Sequence, residues 1–272
     1  MHRADFDWAA FDGVLFDLDG VVTPTAEIHE HAWGELFAEF DYTEADYLAS
    51  IDGKPRYDGV RSFLASRGVD LPEGSPSDPP GTGTICAMGN RKNELFNTIL
   101  ERDGIDPYPG SQTTLDLLER LDIPAAIVSS SKNARPVLAA AKLDQRFEVV
   151  VDGVVAADRN IAGKPAPDMY LAGADQLGIV PSRSVVVEDA VSGVAAGAAG
   201  RFAVVIGVDR GAGTDTLLAN GATFVVVDLA DLLPGGPDAR TSIRLRAVCH
   251  SIASPSIPGG SSNSRTRTTT SV

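Results

Sequence analysis

Residues 14–22 read Val14-Leu15-Phe16-Asp17-Leu18-Asp19-Gly20-Val21-Val22. Val14, Leu15 and Phe16 form a short apolar run of the kind that makes a buried strand, and the run stops at two aspartates and a glycine. Downstream the pattern turns helical. Ile28, Trp33, Leu36, Phe37 and Phe40 share one face, and Val60, Phe63 and Leu64 continue in the same style. Leu95, Phe96, Ile99 and Leu100 make a further face. Gly68 and Gly104 stand where helices should stop, and residues 71–83, rich in Pro, Gly and Ser, should form a loop.

From residue 125 the pattern changes again. Ala125-Ala126-Ile127-Val128, Val149-Val150-Val151, Ser184-Val185-Val186-Val187, Ala203-Val204-Val205-Ile206 and Phe224-Val225-Val226-Val227 are short and largely β-branched. Helical stretches at 114–121, 134–141, 168–177 and 191–199 separate them. Strands apolar on both faces and alternating with helices predict an α/β fold, with a parallel sheet covered on both sides. The first strand is cut off from the other five by the helical block, which points to an all-helical domain inserted after it. The expected organisation is core at 1–26, helical cap at 27–103, core again at 104–233, and a tail at 234–272. The tail is rich in Ser, Thr, Pro and Gly, with Asp238 as its only acid beside Arg240, Arg244, Arg246, Arg265 and Arg267, and it reads as disordered.

Composition sets outer limits. A chain of 272 residues, 43% hydrophobic and 22% charged, is globular and long enough to bury a real core. Its net charge of -14 repels nucleic acid and anionic membranes, so neither is an expected partner. An anionic substrate remains open to it, because a metal and a few cations reverse the field locally. Two cysteines, Cys86 and Cys249, are too few for a disulfide framework and suit a reducing compartment. The first 13 residues carry Asp5, Asp7 and Asp12 and lack the apolar centre of a signal peptide. No apolar run approaches a membrane span. A cytoplasmic monomer is therefore expected.

Four short segments carry chemistry. Asp17 and Asp19 end the first strand, where ligands bind in open α/β sheets; one carboxylate can attack phosphorus while the other handles a proton. Alone, an Asp-x-Asp pair is weak, since acids are common at loop starts. Ser129-Ser130-Ser131-Lys132-Asn133 follows the strand ending at Val128 and precedes a helix, a place where hydroxyl and N–H groups collect an anion, or where they simply cap the helix. Lys164, between Gly163 and the Pro165-Ala166-Pro167-Asp168 helix start, is placed to neutralise phosphate, or is a plain solvated lysine. Glu188-Asp189 ends another strand and offers hard oxygen ligands, or is an acidic cap on the next helix. The bland readings fail together more readily than singly.

In that order, Asp17-x-Asp19-Gly20, Ser129, Lys164 and Glu188-Asp189 resemble the four motifs of the haloacid dehalogenase superfamily of phosphotransferases, over residues 13 to about 232. Within it the chain is most similar to the β-phosphoglucomutase branch. Supporting stretches are Phe16 through Val22, Thr25-Ala26-Glu27-Ile28-His29, Asp52-Gly53-Lys54-Pro55-Arg56, Arg91-Lys92-Asn93, the 129–133 segment and Lys164-Pro165-Ala166-Pro167-Asp168. The resemblance implies a Rossmann-like core with an inserted helical cap, and Mg²⁺ as cofactor. It implies Asp17 as nucleophile and Asp19 as general acid and base, the latter's backbone carbonyl also touching Mg²⁺. Ser129 and Lys164 would hold the transferring phosphate, with Ser130, Lys132 and Asn133 on the substrate side. Glu188 and Asp189 would complete the metal site. From the cap, Arg56 would bind a distal phosphate, while His29, Lys92 and Asn93 would orient a sugar. Pro24 departs from the acidic residue usual in such mutases, and the 71–83 loop is an addition to the cap.

The expected activity is phosphoryl transfer on a sugar phosphate through an aspartyl-phosphate, with mutase action between β-glucose 1-phosphate and glucose 6-phosphate favoured. A sugar-phosphate phosphatase of the same fold is the alternative, and an inactive interaction module within a larger sugar-active assembly is a third reading.

Overall fold

The computed structural model describes residues 3, 6–51, 54 and 56–233. The tail expected to be disordered lies outside the described residues, as do Asp52, Gly53 and Pro55. Six parallel strands form one sheet: β1 (Gly13–Phe16), β2 (Ala125–Val128), β3 (Val149–Val151), β4 (Ser184–Glu188), β5 (Val204–Val208) and β6 (Phe224–Val226). Their order is β3-β2-β1-β4-β5-β6. The chain thus winds outward from β1 in both directions, and the crevice between β1 and its neighbours is where such sheets bind ligands. Phe16 pairs with Ile127 on one side and Val187 on the other, so Asp17 leaves the sheet level with the ends of β2 and β4.

Burial on both faces explains the valine-rich strands. Val14, Phe16, Ile127, Val185 and Val187 enter one apolar cluster, while Leu15, Ala126, Val128, Val186 and Val205 enter the opposite one. The alternation is the ordinary period of two. On these faces lie α5 (Pro109–Arg120), α6 (Ala134–Ala140), α7 (Gly153–Asp158), α8 (Asp168–Leu177), α9 (Val191–Ala199) and α10 (Thr214–Ala219). Sequence periodicity places α8 and α9 correctly and starts α5 late, because Pro109 at its first turn is preset for a helix and extends it.

Between β1 and α5 the described residues are helices and loops without a strand: α1 (Thr25–Leu36), α2 (Glu44–Ser50), α3 (Arg56–Ser66) and α4 (Ile85–Asp103). Trp33, Phe37, Val60, Phe63, Leu64, Ile85 and Met88 form their own cluster. Its aromatic centre includes Phe37 stacked on Phe63 at 4.0 Å between centroids. Residues 71–83 are a loop, as composition predicts, and it is fastened rather than loose. Thr84 caps α4 by accepting from the Ala87 N–H (3.0 Å) and donates to Asp78 Oδ2 in the loop (2.7 Å).

Candidate active site

β1 delivers Asp17 into a pocket of buried polar groups. Its own N–H donates to the Val187 carbonyl (2.9 Å), which continues the ladder one residue beyond the strand and holds the backbone. Asp17 is 7% exposed, Ser129 is fully buried and Glu188 is 1% exposed. Lys164 ties the strand ends together: its ammonium donates to Asp17 Oδ1, to Glu188 Oε1 (2.6 Å) and to the Val128 carbonyl (3.0 Å). Tyr170, on α8 directly after the Lys164 loop, donates its hydroxyl to the same Glu188 oxygen (3.2 Å), and the Lys164 ammonium lies over its ring. Glu188 Oε2 accepts from the Ala190 N–H (2.8 Å), so both of its oxygens have protein donors.

Asp19 sits on the turn after β1. Thr25, the first residue of α1, donates to its Oδ1, and Ser129 donates to its Oδ2 (3.3 Å). Ser129 in turn accepts from the Ser131 N–H (3.0 Å), which orients the hydroxyl. Gly20 follows with φ +83°, and a Cβ there would lie 2.0 Å from Asp189 Oδ2. Only glycine lets the turn close on that carboxylate. Pro24 precedes α1 without supplying a side-chain cap, and Thr25 takes over the contact with the turn.

Burial raises the pKa of Asp17 well above the usual carboxylate range, and Glu188, Asp19 and Asp189 add to the rise against the opposing pull of Lys164. Burial likewise raises Asp19, while the Thr25 and Ser129 hydrogen bonds lower it. Asp189 is pushed up to about 7, by burial first and then by Glu188. Four carboxylates thus face one lysine, an excess of hard anionic oxygen that suits a divalent cation such as Mg²⁺. Among the described residues no three His, Cys, Asp or Glu side chains stand close enough together to hold a metal ion by themselves. Lys164 stands between Asp17 and Glu188, and with the Ala190 N–H it leaves both Glu188 oxygens engaged.

The helical layer contributes a buried cation. Lys92 on α4 is only 4% exposed, its ammonium paired with His29 Nδ1 and placed 5.2 Å from both the Trp33 and Phe96 ring centres. His29 on α1 stacks on Phe96 at 4.4 Å. Burial, then the Lys92 and Arg56 charges, hold His29 neutral with a pKa near 3. Burial and then Arg56 push Lys92 down to about 7, with Asp19 pulling it back up. The charges of Arg56 and Asp19 thus both reach Lys92, with opposite effect. The Arg56 Nε is buried with no partner among the described residues. Asn93 joins the two layers by accepting from Asn133 Nδ2 (2.8 Å).

Of the residues singled out in the sequence, Asp17, Asp19, Ser129, Lys164, Glu188 and Asp189 meet at the strand ends; Lys92 pairs with His29 in the helical layer, and Asn93 of that layer meets Asn133. Ser130 and Lys132 do not join this hydrogen-bonded cluster: both are exposed, and the Lys132 stem runs beside Gly153. Sequence reading quoted Thr25 without giving it a role and did not single out Tyr170, whose only signal is its position just after the Lys164 segment. The helix it read at 191–199 is α9, which packs closely behind Glu188. A Cβ at Gly193 would come within 1.5 Å of Glu188 Oε1. Gly193→Ala should therefore push Glu188 off Lys164, lower turnover, and destabilise the fold by about 1–3 kcal/mol through overpacking, read from the denaturant midpoint.

A parallel sheet whose first strand ends in an aspartate-bearing turn, followed by an inserted helical layer that carries a buried lysine, defines a class. The haloacid dehalogenase-like hydrolase family model matches residues 11–201, and the chain belongs to that family. It falls in the β-phosphoglucomutase-like branch. Over 237 residues, 80% of this chain and 90% of the relative, it is 46% identical to the β-phosphoglucomutase of Mycobacterium bovis. It is also 35% identical to hexitol phosphatase A of Escherichia coli over 191 residues, 69% of this chain and 78% of the relative. The solved β-phosphoglucomutase of Clostridium difficile superposes with TM-score 0.63 at 23% identity, covering 89% of this chain and 99% of that one, which speaks to the fold. The chain is accordingly an enzyme of the phosphotransferase and phosphatase type. Among the described residues no helix is long and apolar enough to cross a membrane.

Proposed function

We propose that the chain transfers phosphoryl groups on a sugar phosphate through an aspartyl-phosphate on Asp17, and that it acts as a β-phosphoglucomutase. The observation that carries this reading is the pair of cations in the helical layer. Lys92 lies buried and Arg56 half-buried in this layer, the arginine with a buried, unpartnered Nε–H among the described residues and the lysine paired with a neutral imidazole. Such groups wait for an anion that the protein does not supply. A substrate carrying phosphate at either end, bound in two orientations, satisfies both layers at once.

In the first half-reaction a carboxylate oxygen of Asp17 attacks phosphorus and the ester P–O bond breaks. The departing sugar oxygen takes the proton held on Asp19, whose raised pKa suits that duty. Asp19, Thr25 and Ser129 keep that proton aligned. In the second half-reaction a sugar hydroxyl returns its proton to Asp19 and attacks the aspartyl-phosphate, freeing Asp17. Lys164 holds the transferring group and balances its charge. Mg²⁺, held by Asp17, the Asp19 backbone carbonyl and Asp189 with Glu188 behind them, would supply Lewis-acid charge neutralisation to the same group.

The phosphatase reading, in which water is the acceptor, is favoured by the likeness to hexitol phosphatase A. Arg56→Ala separates the two. The mutase reaction, followed from β-glucose 1-phosphate with Mg²⁺ and added bisphosphate, should lose at least about tenfold in kcat/KM, since charge-assisted hydrogen bonds to phosphate are lost. Hydrolysis of acetyl phosphate, which has no distal phosphate, should hold nearly steady. Equal losses on both substrates would assign Arg56 to the fold and remove the best support for a mutase.

A further inference from the structure

The 71–83 loop reaches the proposed distal-phosphate anchor through one chain of hydrogen bonds. Asn90, on the second turn of α4, spends both hydrogens of Nδ2 on loop carbonyls: Pro76 (3.1 Å) and Asp78 (2.8 Å). Its Oδ1 is thereby left to accept, and it accepts from the Tyr57 hydroxyl (2.9 Å). With its proton committed, the Tyr57 oxygen has only lone pairs to offer, and Arg56 Nη2 donates to it (3.4 Å). The Arg56 guanidinium also lies 5.1 Å from the centre of the Tyr57 ring. Every donor and acceptor direction in this sequence follows from the one before it.

The loop end of the chain is itself anchored. Asp78 accepts from the Ser75 N–H (3.0 Å) and from Thr84 Oγ1 (2.7 Å), and Glu73 is paired with Arg61 on α3 at 2.7 Å. A flexible arginine is thus guided at its tip by a loop fixed to both helices that flank it.

We infer that Tyr57 and Asn90 are positioning residues that fix the Arg56 guanidinium for the distal anionic group of the substrate, and that the 71–83 loop sets this specificity through them. The inference rests on the reading of Arg56 as that anchor. Neither side chain touches the reacting atoms; both act by reducing the number of orientations in which Arg56 waits, so their loss raises KM more than it lowers kcat.

Steady-state kinetics with β-glucose 1-phosphate, Mg²⁺ and bisphosphate test it on Tyr57→Phe, Asn90→Ala, the double variant and Arg56→Ala. Each single relay variant should raise KM about three- to tenfold, the worth of one ordinary hydrogen bond, with kcat on acetyl phosphate changed less than about twofold. Because the two act in series, the double variant should be no worse than the poorer single. Tyr57→Phe keeps the ring under the guanidinium, so it decides the matter if Asn90→Ala lowers the melting temperature. Unchanged KM in Tyr57→Phe beside a raised KM in Arg56→Ala overturns the relay alone. Unchanged KM in Arg56→Ala overturns the anchor, and the relay falls with it. Additive losses in the double variant also overturn it.

Discussion

Asp17→Asn is expected to lower turnover by at least about a thousandfold, on mutase and phosphatase substrates alike, because the amide has the carboxylate's shape but cannot attack phosphorus. The loss should come without loss of the fold. Asp17 is buried among Asp19, Glu188 and Asp189, and burial followed by those neighbours resists its ionisation. A group with a raised folded-state pKa contributes stability at low pH and loses it as pH rises through that value. At pH 7.5 without added metal the neutral asparagine should therefore melt no lower than wild type. Any Mg²⁺-induced rise in melting temperature should shrink in the variant, since one ligand oxygen is gone. Turnover within tenfold of wild type would reassign the nucleophile.

Lys164→Met should damage both activity and stability. The ammonium is the partner of two buried carboxylates and of the Val128 carbonyl. Removing it leaves Asp17 and Glu188 facing each other across an apolar side chain, the situation in which a broken buried pair costs about 3–5 kcal/mol. Loss of fixed positive charge at the transferring phosphate should cost about a hundredfold or more in kcat. The stability deficit has a pH signature. Lys164 is what restrains the rise in the Asp17 pKa, so in its absence Asp17 holds a proton to higher pH. The folded variant then gains protons relative to wild type as pH falls, and the gap in melting temperature should narrow from pH 8 toward pH 5. Melting curves at several pH values check this; a gap that widens on acidification would mean that Lys164 does not neutralise Asp17.

Much of the fold is legible along the chain because burial writes itself into composition. A strand covered on both faces must be apolar at every position, which is why Val185, Val186 and Val187 announce β4 without alternation. The α7 helix was not legible: Val149 through Val155 is nearly one valine-rich run, and its break is the buried Asp152, whose carboxylate caps the helix at the Val154 and Val155 N–H groups. Only tertiary burial of Asp152 distinguishes that cap from one more strand residue.

The residue types at the site were legible for a different reason. Phosphoryl chemistry demands carboxylates, a hydroxyl and a lysine whatever the surrounding structure, and Asp17, Asp19, Ser129, Lys164, Glu188 and Asp189 stand out beside apolar runs. Their partners did not. Tyr170 reads as one more aromatic on a helix until α8 packs it on Glu188, and Thr25 as one more helix start until the turn brings Asp19 to it. Asn90 and Tyr57, 33 residues apart, carry no local sign of each other. By itself the sequence determined the alternation of strands and helices and the chemistry at the strand ends, because burial and reactivity select residue type locally. Which charges share a space, and which neutral side chains aim them, was decided by the tertiary structure alone, because hydrogen bonds and Coulomb forces act through distances that the chain's order does not record.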